Sequence, residues 1–311
     1  MRILTNKNNQ IRSGYKVTLF TIIYIIFTSI FSGIFGGVLG GYMRAKYSEN
    51  ANYDQTYVLI ENYMRNSFQG MFITQLLGII ALFLTLFIVL KGFEKKRFKD
   101  IGLNSITRNW KGLIWGLMLG AISMSVIFIM LLSTGDITLE NSLLNPQLSK
   151  NTVWGILIFI IVAINEETMC RGYILNTLNQ MGKPWVSAAI SSGVFAALHL
   201  LNPNVKLIGI LNIFLVGMLF AYMYIRTNSL WMPIGYHFTW NYFQGSVFGF
   251  AVSGTTEAQG IYNIASVNEN IFTGGSFGPE AGILATVVLI LGFVVVWKVT
   301  NKEIGEEVNF R

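Results

Sequence analysis

Charge is what this chain has least of. Only 12% of its 311 residues are Asp, Glu, Lys or Arg, against about 25% in a soluble globular domain. Hydrophobic residues make up 53%, and mean hydropathy is +0.54. That composition argues against a water-soluble fold. Cysteine occurs once, at Cys170, so neither an intramolecular disulfide framework nor a multi-cysteine metal site can form. Between Met169 and Arg171 it reads as a buried thiol. Histidine occurs twice, as His199 and His237. The H-E-x-x-H zinc helix and the G-x-x-x-x-G-K-[ST] phosphate loop are absent, as is the G-x-S-x-G nucleophile elbow. No serine or cysteine flanks either histidine. Two histidines and a glutamate could still supply three zinc ligands, so composition leaves a metal open.

What the chain does have is long apolar runs. A helix crosses the bilayer with about 20 mostly apolar residues, and runs of that kind fall at 17–42, 71–90, 112–133, 153–175, 185–201, 207–226, 230–252 and 281–298. The expected fold is all-α, a polytopic integral membrane protein of about eight transmembrane helices. The first run is too long for a signal peptide and no A-x-A site follows it, so it reads as a retained span. The net charge of +7 is concentrated in the first 16 residues and between Lys91 and Arg108, beside apolar runs. That placement suits membrane orientation and anionic lipid, not nucleic acid. With the N-terminus inside, the inner segments carry 15 Lys and Arg and the outer segments 5, which predicts both termini in the cytoplasm of a multi-pass cell-membrane protein.

Three sections are expected: residues 1–149 with about three helices, a core over 150–252, and 253–311 with an outer loop and a last helix. Residues 43–70 are polar and mixed in charge, an outer segment with some helix. The loop at 253–280 is rich in Gly, Ser, Asn and Thr and has no Lys or Arg. It either folds over the outer mouth or stays mobile. Gly33, Gly37 and Gly41 stand four apart in the first span, a spacing that admits a close helix neighbour, either within the chain or in a second copy.

The few ionisable groups inside apolar runs are the best guide to chemistry, because such groups are costly in hydrocarbon and usually line a cavity. Glu167 and Arg171 are four apart, share a helix face and can pair. Glu166 lies about 100° round the helix from Glu167, with no local partner, and so is available to take and give a proton. Phe195 and His199 are four apart, so the ring can pack beside the imidazole. His237 and Asn241 are also four apart and can act together as donors to a developing oxyanion. A base for water and donors for a tetrahedral oxyanion are what hydrolysis requires. The purely structural reading is an ion-pair cluster for packing, a hydrogen-bonded core histidine and a polar interhelical contact. By the charge-based layout these groups lie near the middle or the cytoplasmic half of the bilayer.

In order and spacing these residues resemble the CAAX protease and bacteriocin-processing family, also called the Abi or type II CAAX prenyl endopeptidase family. Its E-E-x-x-x-R motif matches Glu166, Glu167 and Arg171, its F-x-x-x-H motif matches Phe195 and His199, and its H-x-x-x-N motif matches His237 and Asn241. The resemblance covers about residues 150–250. It implies an intramembrane endopeptidase of the glutamate type in which Glu166 with His199 activates water. His237 and Asn241 would form the oxyanion site, with Glu167, Arg171 and Phe195 in support. It further implies a cavity open to the cytoplasm and to lipid, and a peptide or membrane-protein substrate. No metal or other cofactor is expected, since the acid–base and oxyanion set is complete without one. A composition rich in Asn, Ile and Lys and poor in Cys suggests an AT-rich bacterium, which favours a leader, signal or immunity peptide over a prenylated substrate. The alternatives are a non-catalytic immunity or regulatory partner of the same family and a proton-coupled transporter. The latter usually shows internal repeats, and none is found here.

Overall fold

The structure is a computed structural model that describes residues 4–6, 11–47, 53–255 and 260–304. Of the cations weighed above, Arg2, Lys7 and Arg311 lie outside the described residues, as do positions 256–259 of the outer loop.

Helix α1 (Ser13–Tyr47) is followed by α2 (Tyr53–Asn66) and α3 (Phe68–Phe87). One side chain joins the last two. The Ser67 hydroxyl accepts the Gly70 N–H at 3.0 Å and donates to the Tyr63 carbonyl at 2.7 Å, satisfying a donor at the start of one helix and an acceptor near the end of the other. Helix α3 runs on through a π-helical turn, Ile88–Glu94. Helix α4 (Ile106–Ser133) leads to strand β1 (Ile137–Leu139). Helix α5 (Lys150–Glu167) starts at Ser149, whose hydroxyl accepts the Asn151 N–H at 3.2 Å, and passes through a second π turn, Thr168–Leu175, into the short α6 (Asn176–Leu178). Next come α7 (Pro184–Leu198), with proline in its first turn where no N–H is needed, then α8 (Leu207–Thr227) and α9 (Trp231–Tyr242). Strand β2 (Ile264–Val267) pairs antiparallel with β1, and α10 (Ile283–Ile304) closes the described chain.

Seven helical stretches among the described residues are long and apolar enough to cross a membrane. The protein is therefore an all-α, multi-pass membrane protein. The eighth expected run, 230–252, behaves differently. Helix α9 and the π turn Phe243–Val247 end it early, and Phe248 to Val252 leave the helix. The reason is its position. Met232, Ile234, Tyr236, Trp240 and Asn241 are all buried, so α9 is an interior element and need not span the full hydrocarbon thickness. It still carries the chain across. The end of α8 lies beside the end of α10, where Arg226 Nε donates to Thr300 Oγ1 at 3.0 Å, so α10 must begin at the far end.

Helix α9 is held against α4 by glycines. A Cβ on Gly116 would overlap the Met232 carbonyl, and one on Gly120 would overlap the Tyr236 carbonyl and the Thr239 hydroxyl. In return Gly235 sits against the backbone of Leu113 and Leu117. Small residues four apart let helices meet at backbone distance. The glycines of α1 do something else. Among the described residues a Cβ added at Gly33, Gly36, Gly37 or Gly41 would meet nothing within 4 Å, whereas one at Gly40 would meet Ile60 and Thr56 of α2.

The bundle has two unlike ends. One is basic. There Glu94 accepts from Lys16 and Lys96 (both 3.3 Å) and from the Tyr173 hydroxyl (2.8 Å), Asn176 donates to the Asp100 carbonyl, and Asn104 donates to the Asn228 carbonyl. The opposite end carries the β1–β2 pair and the loops at 199–206 and 248–282.

Candidate active site

The π turn after Glu167 is where the site is built. Wide turns of this kind inside α-helices recur at functional positions because they re-aim side chains and free backbone carbonyls. Here the Cys170 carbonyl accepts from Ser191 Oγ on α7 at 2.6 Å, which ties two of the motif-bearing helices together. Cys170 itself is buried.

Glu167 and Arg171 are fully buried, at 0% exposure each. Arg171 Nη1 donates to Glu167 Oε1 at 2.9 Å, and its Nη2 donates to the Gly217 carbonyl of α8 at 2.9 Å. Its guanidinium lies 4.5 Å from the centre of the Phe195 ring and 5.3 Å from that of Phe220, an arrangement in which ring faces attract the cation. Gly217 is where the guanidinium needs room, since a Cβ there would come within 3.0 Å of Arg171 Nη2.

Glu167 Oε1 has a second donor, His237 Nδ1 at 3.0 Å. Because a carboxylate only accepts, Nδ1 carries the hydrogen. The other ring nitrogen, Nε2, is then 3.7 Å from Glu166 Oε2. Glu166, without a partner on its own helix, thus has one across the bundle. One imidazole stands between the two adjacent carboxylates, with Phe220 stacked on it at 5.2 Å and Phe195 edge-on at 6.1 Å.

His199 ends α7 and opens a 3₁₀ turn. Its Nδ1 lies 2.8 Å from the Phe195 carbonyl. A carbonyl accepts, so Nδ1 is the protonated nitrogen and Nε2 is left as an acceptor. The Phe195 ring packs 4.8 Å from the imidazole.

A cavity of about 480 Å³ gathers Glu166, Phe195, His199, His237 and Asn241 in its wall. Glu167 and Arg171 stand behind it. Much of the remaining wall is apolar, including Met71, Ile158, Phe159, Val162, Ile213 and Val216. Among the described residues no group of three His, Cys, Asp or Glu side chains converges closely enough to hold a metal ion.

Reasoning from sequence missed one acid. Glu280 precedes α10 and lines the same cavity. Its Oε2 accepts both the N–H and the hydroxyl of Ser253 at 2.8 Å each, and its Oε1 accepts from Trp240 Nε1 at 3.3 Å. Asn212 holds Glu280 in place by donating to its backbone carbonyl at 2.7 Å. Asn202 donates to the Ser253 carbonyl at 3.0 Å. The segment 252–255 is thereby strapped over the cavity, which decides between the two expectations for the outer loop in its described part. The available signal was the last of three glutamates, Glu257, Glu269 and Glu280, in a polar, cation-free loop, placed just ahead of an apolar run.

The cavity wall is drawn from the beginning of α3, the end of α7 and the 252–255 strap, at the end away from the basic loops, and reaches down to Ile158, Phe159, Val162 and Glu166 near the middle of the helical stretch Lys150–Met181. His199 belongs to that end as well, because α7 is only 15 residues long. A charge layout with the basic loops in the cytoplasm and a cavity opening to the cytoplasm therefore do not fit together.

The fold and site define a class, a polytopic membrane protein with paired glutamates, two histidines and an asparagine around an intramembrane cavity. Residues 148–243 match the family model described as Rce1-like, type II CAAX prenyl endopeptidase Rce1-like. That segment, about a third of the chain, is similar to the CAAX-protease-type membrane proteins that the family model describes. The segment contains all seven motif residues. The chain is also similar to the "Uncharacterized 24.3 kDa protein" of Escherichia coli, at 35% identity over 82 residues, or 26% of this chain and 37% of that protein. It thus matches little more than a third of that relative's length.

Proposed function

We propose that the protein is an intramembrane endopeptidase that hydrolyses a peptide bond with a glutamate-activated water. The observation that carries this reading is the carboxylate–imidazole–carboxylate row, Glu167 to His237 to Glu166, with Glu166 at the cavity and Glu167 locked behind it.

The chemistry follows from which atoms hold protons. Glu166 accepts a proton from water as the oxygen attacks the scissile carbonyl, and His199 Nε2 is the acceptor that orients that water. The resulting oxyanion takes hydrogen bonds from the Asn241 carboxamide and from His237. Because His237 gives Nδ1–H to Glu167, its Nε2 bears a hydrogen only as an imidazolium, whose charge the two flanking carboxylates offset. Glu166 then returns its proton to the departing amine, so one water yields one carboxylic acid and one amine. General acid–base catalysis typically contributes about 10²–10⁴-fold and one preorganised oxyanion donor about 10²–10³-fold. Within this reading residues 150–252 are the catalytic section, and a leader, signal or immunity peptide is the favoured substrate class.

The test compares membrane-associated and secreted peptides, by mass spectrometry, from cells carrying the wild type and the Glu166→Gln variant. Cleaved species are expected only with the wild type. Equal cleavage by a variant that accumulates normally rules the mechanism out. A cellular phenotype retained by Glu166→Gln without any wild-type cleavage supports a non-catalytic partner instead.

A further inference from the structure

We infer that the cavity is entered from the outer face of the membrane and takes an extended, largely apolar segment of an exported polypeptide. That this segment is cleaved rests on the peptidase reading; the direction of entry does not.

Orientation follows from charge. Among the described residues, the end that joins α3 to α4, α6 to α7 and α8 to α9, where α1 starts and α10 finishes, holds most of the Lys and Arg, 12 against 5. An excess of that size marks the cytoplasmic side. The cavity belongs to the other end. Its rim is formed by Asn202, Pro203 and Asn204 after α7 and by Ser253, Gly254 and Thr255 of the strap, and Pro203, Asn204 and Thr255 are exposed. Toward the basic end the path is blocked. Glu167 and Arg171 fill the space behind Glu166, and behind them Cys170, Tyr173, Ile101 and Leu230 are all buried to 1% exposure or less.

The lining describes the occupant. Among the described residues it contains no Lys or Arg and its carboxylates are Glu166 and Glu280, of which Glu280 is engaged by Ser253 and Trp240. Apolar walls beneath an uncharged polar rim suit an unfolded apolar stretch with its backbone amides solvated at the mouth. A folded domain does not fit in about 480 Å³.

The chain lends itself to a direct test, since its single cysteine is buried. In a Cys170→Ser background, single cysteines are introduced as Val205→Cys in the outer loop, Gln75→Cys in the cavity wall and Lys99→Cys at the basic end. Intact cells are treated with a membrane-impermeant maleimide, and labelling in denaturant confirms that each protein is present. The expected pattern is labelling of Val205→Cys and Gln75→Cys in intact cells and of Lys99→Cys only after lysis. Labelling of Lys99→Cys in intact cells overturns the orientation. A Gln75→Cys variant that reacts only after lysis, or not at all, overturns entry from outside. The same labelling repeated with Glu166→Gln added needs no activity, so failure of the peptidase reading would leave it unchanged.

Discussion

Replacing Glu167 by Gln, Arg171 by Met, and then both together, separates what the buried ion pair does for stability from what it does for chemistry. In the wild type both side chains are wholly buried and 2.9 Å apart. Removing one partner of such a pair leaves an uncompensated buried charge, at a cost of about 3–5 kcal/mol. Glu167→Gln strands the Arg171 guanidinium between the Phe195 and Phe220 rings, and Arg171→Met leaves the carboxylate with His237 alone. If the effects added, the double variant would lose about 6–10 kcal/mol, close to the total stability of a typical domain. Replacing both charges by groups of similar volume is instead often neutral. The double variant is therefore expected to be more stable than either single one. It is also expected to be inactive, because His237 no longer faces a carboxylate through Nδ1.

The assay is thermal unfolding of purified protein in one mild detergent, read alongside peptide cleavage. The coupling energy from the double-mutant cycle should be about 3 kcal/mol or more in the compensating direction. Additive destabilisation would refute the ion-pair reasoning. A double variant that keeps wild-type turnover would refute the role given to Glu167 in orienting His237.

Gly120→Leu should abolish accumulation of folded protein, since even a Cβ there overlaps the Tyr236 carbonyl and the Thr239 hydroxyl, whereas Gly36→Leu, with open space around it, should accumulate normally; detergent-extracted yield and elution profile measure both. Asn241→Ala should lower kcat roughly 10²–10³-fold with KM little changed if it supplies an oxyanion donor, and unchanged kcat would remove it from that role. Ser253→Ala combined with Glu280→Gln removes the Ser253 hydroxyl bond and the carboxylate that accepts the Ser253 N–H, the two bonds from the 252–255 strap to Glu280, so amide exchange there should quicken relative to α9; equal protection would show that the strap is held by something else.

How much was legible in the sequence depended on how local the physics was. Spans are visible because apolar length is a one-dimensional property, and the Glu167–Arg171 pair is visible because a helix brings residues four apart onto one face. The bond from Glu167 to His237 was not legible, since it joins positions 70 apart and depends on the register of α9. The spacing of Gly116 and Gly120 that sets this register was present, but the same four-residue spacing recurs in α1, and only packing tells the two apart. The end of helix at Val247 was hidden for a related reason, because an interior helix and a membrane span have the same apolar composition and only burial distinguishes them. The strap was ambiguous in principle. A Gly-, Ser-, Asn- and Thr-rich loop has the donors to fold back and the flexibility not to, and Glu280 decides the matter by accepting from Ser253 and Trp240 at once.

Two neighbouring carboxylates could have repelled each other, and the helix geometry shows why they do not compete. About 100° apart around the axis, they point into different environments. Glu167 faces the buried guanidinium, and Glu166 faces the cavity. The imidazole of His237 reaches both because its two nitrogens lie on opposite sides of one ring. The position of a proton on that ring is therefore set by a group that substrate never touches, and Glu167 acts on the cavity through His237. Both are held by close packing, Arg171 against Gly217 and α9 against α4 through Gly116, Gly120 and Gly235. A methyl group at Gly217 would press on the guanidinium without removing any charge. If the row works as a unit, that disturbance reaches Nε2 at the cavity by way of Glu167, and the site is as much a product of glycine packing as of its acids and bases.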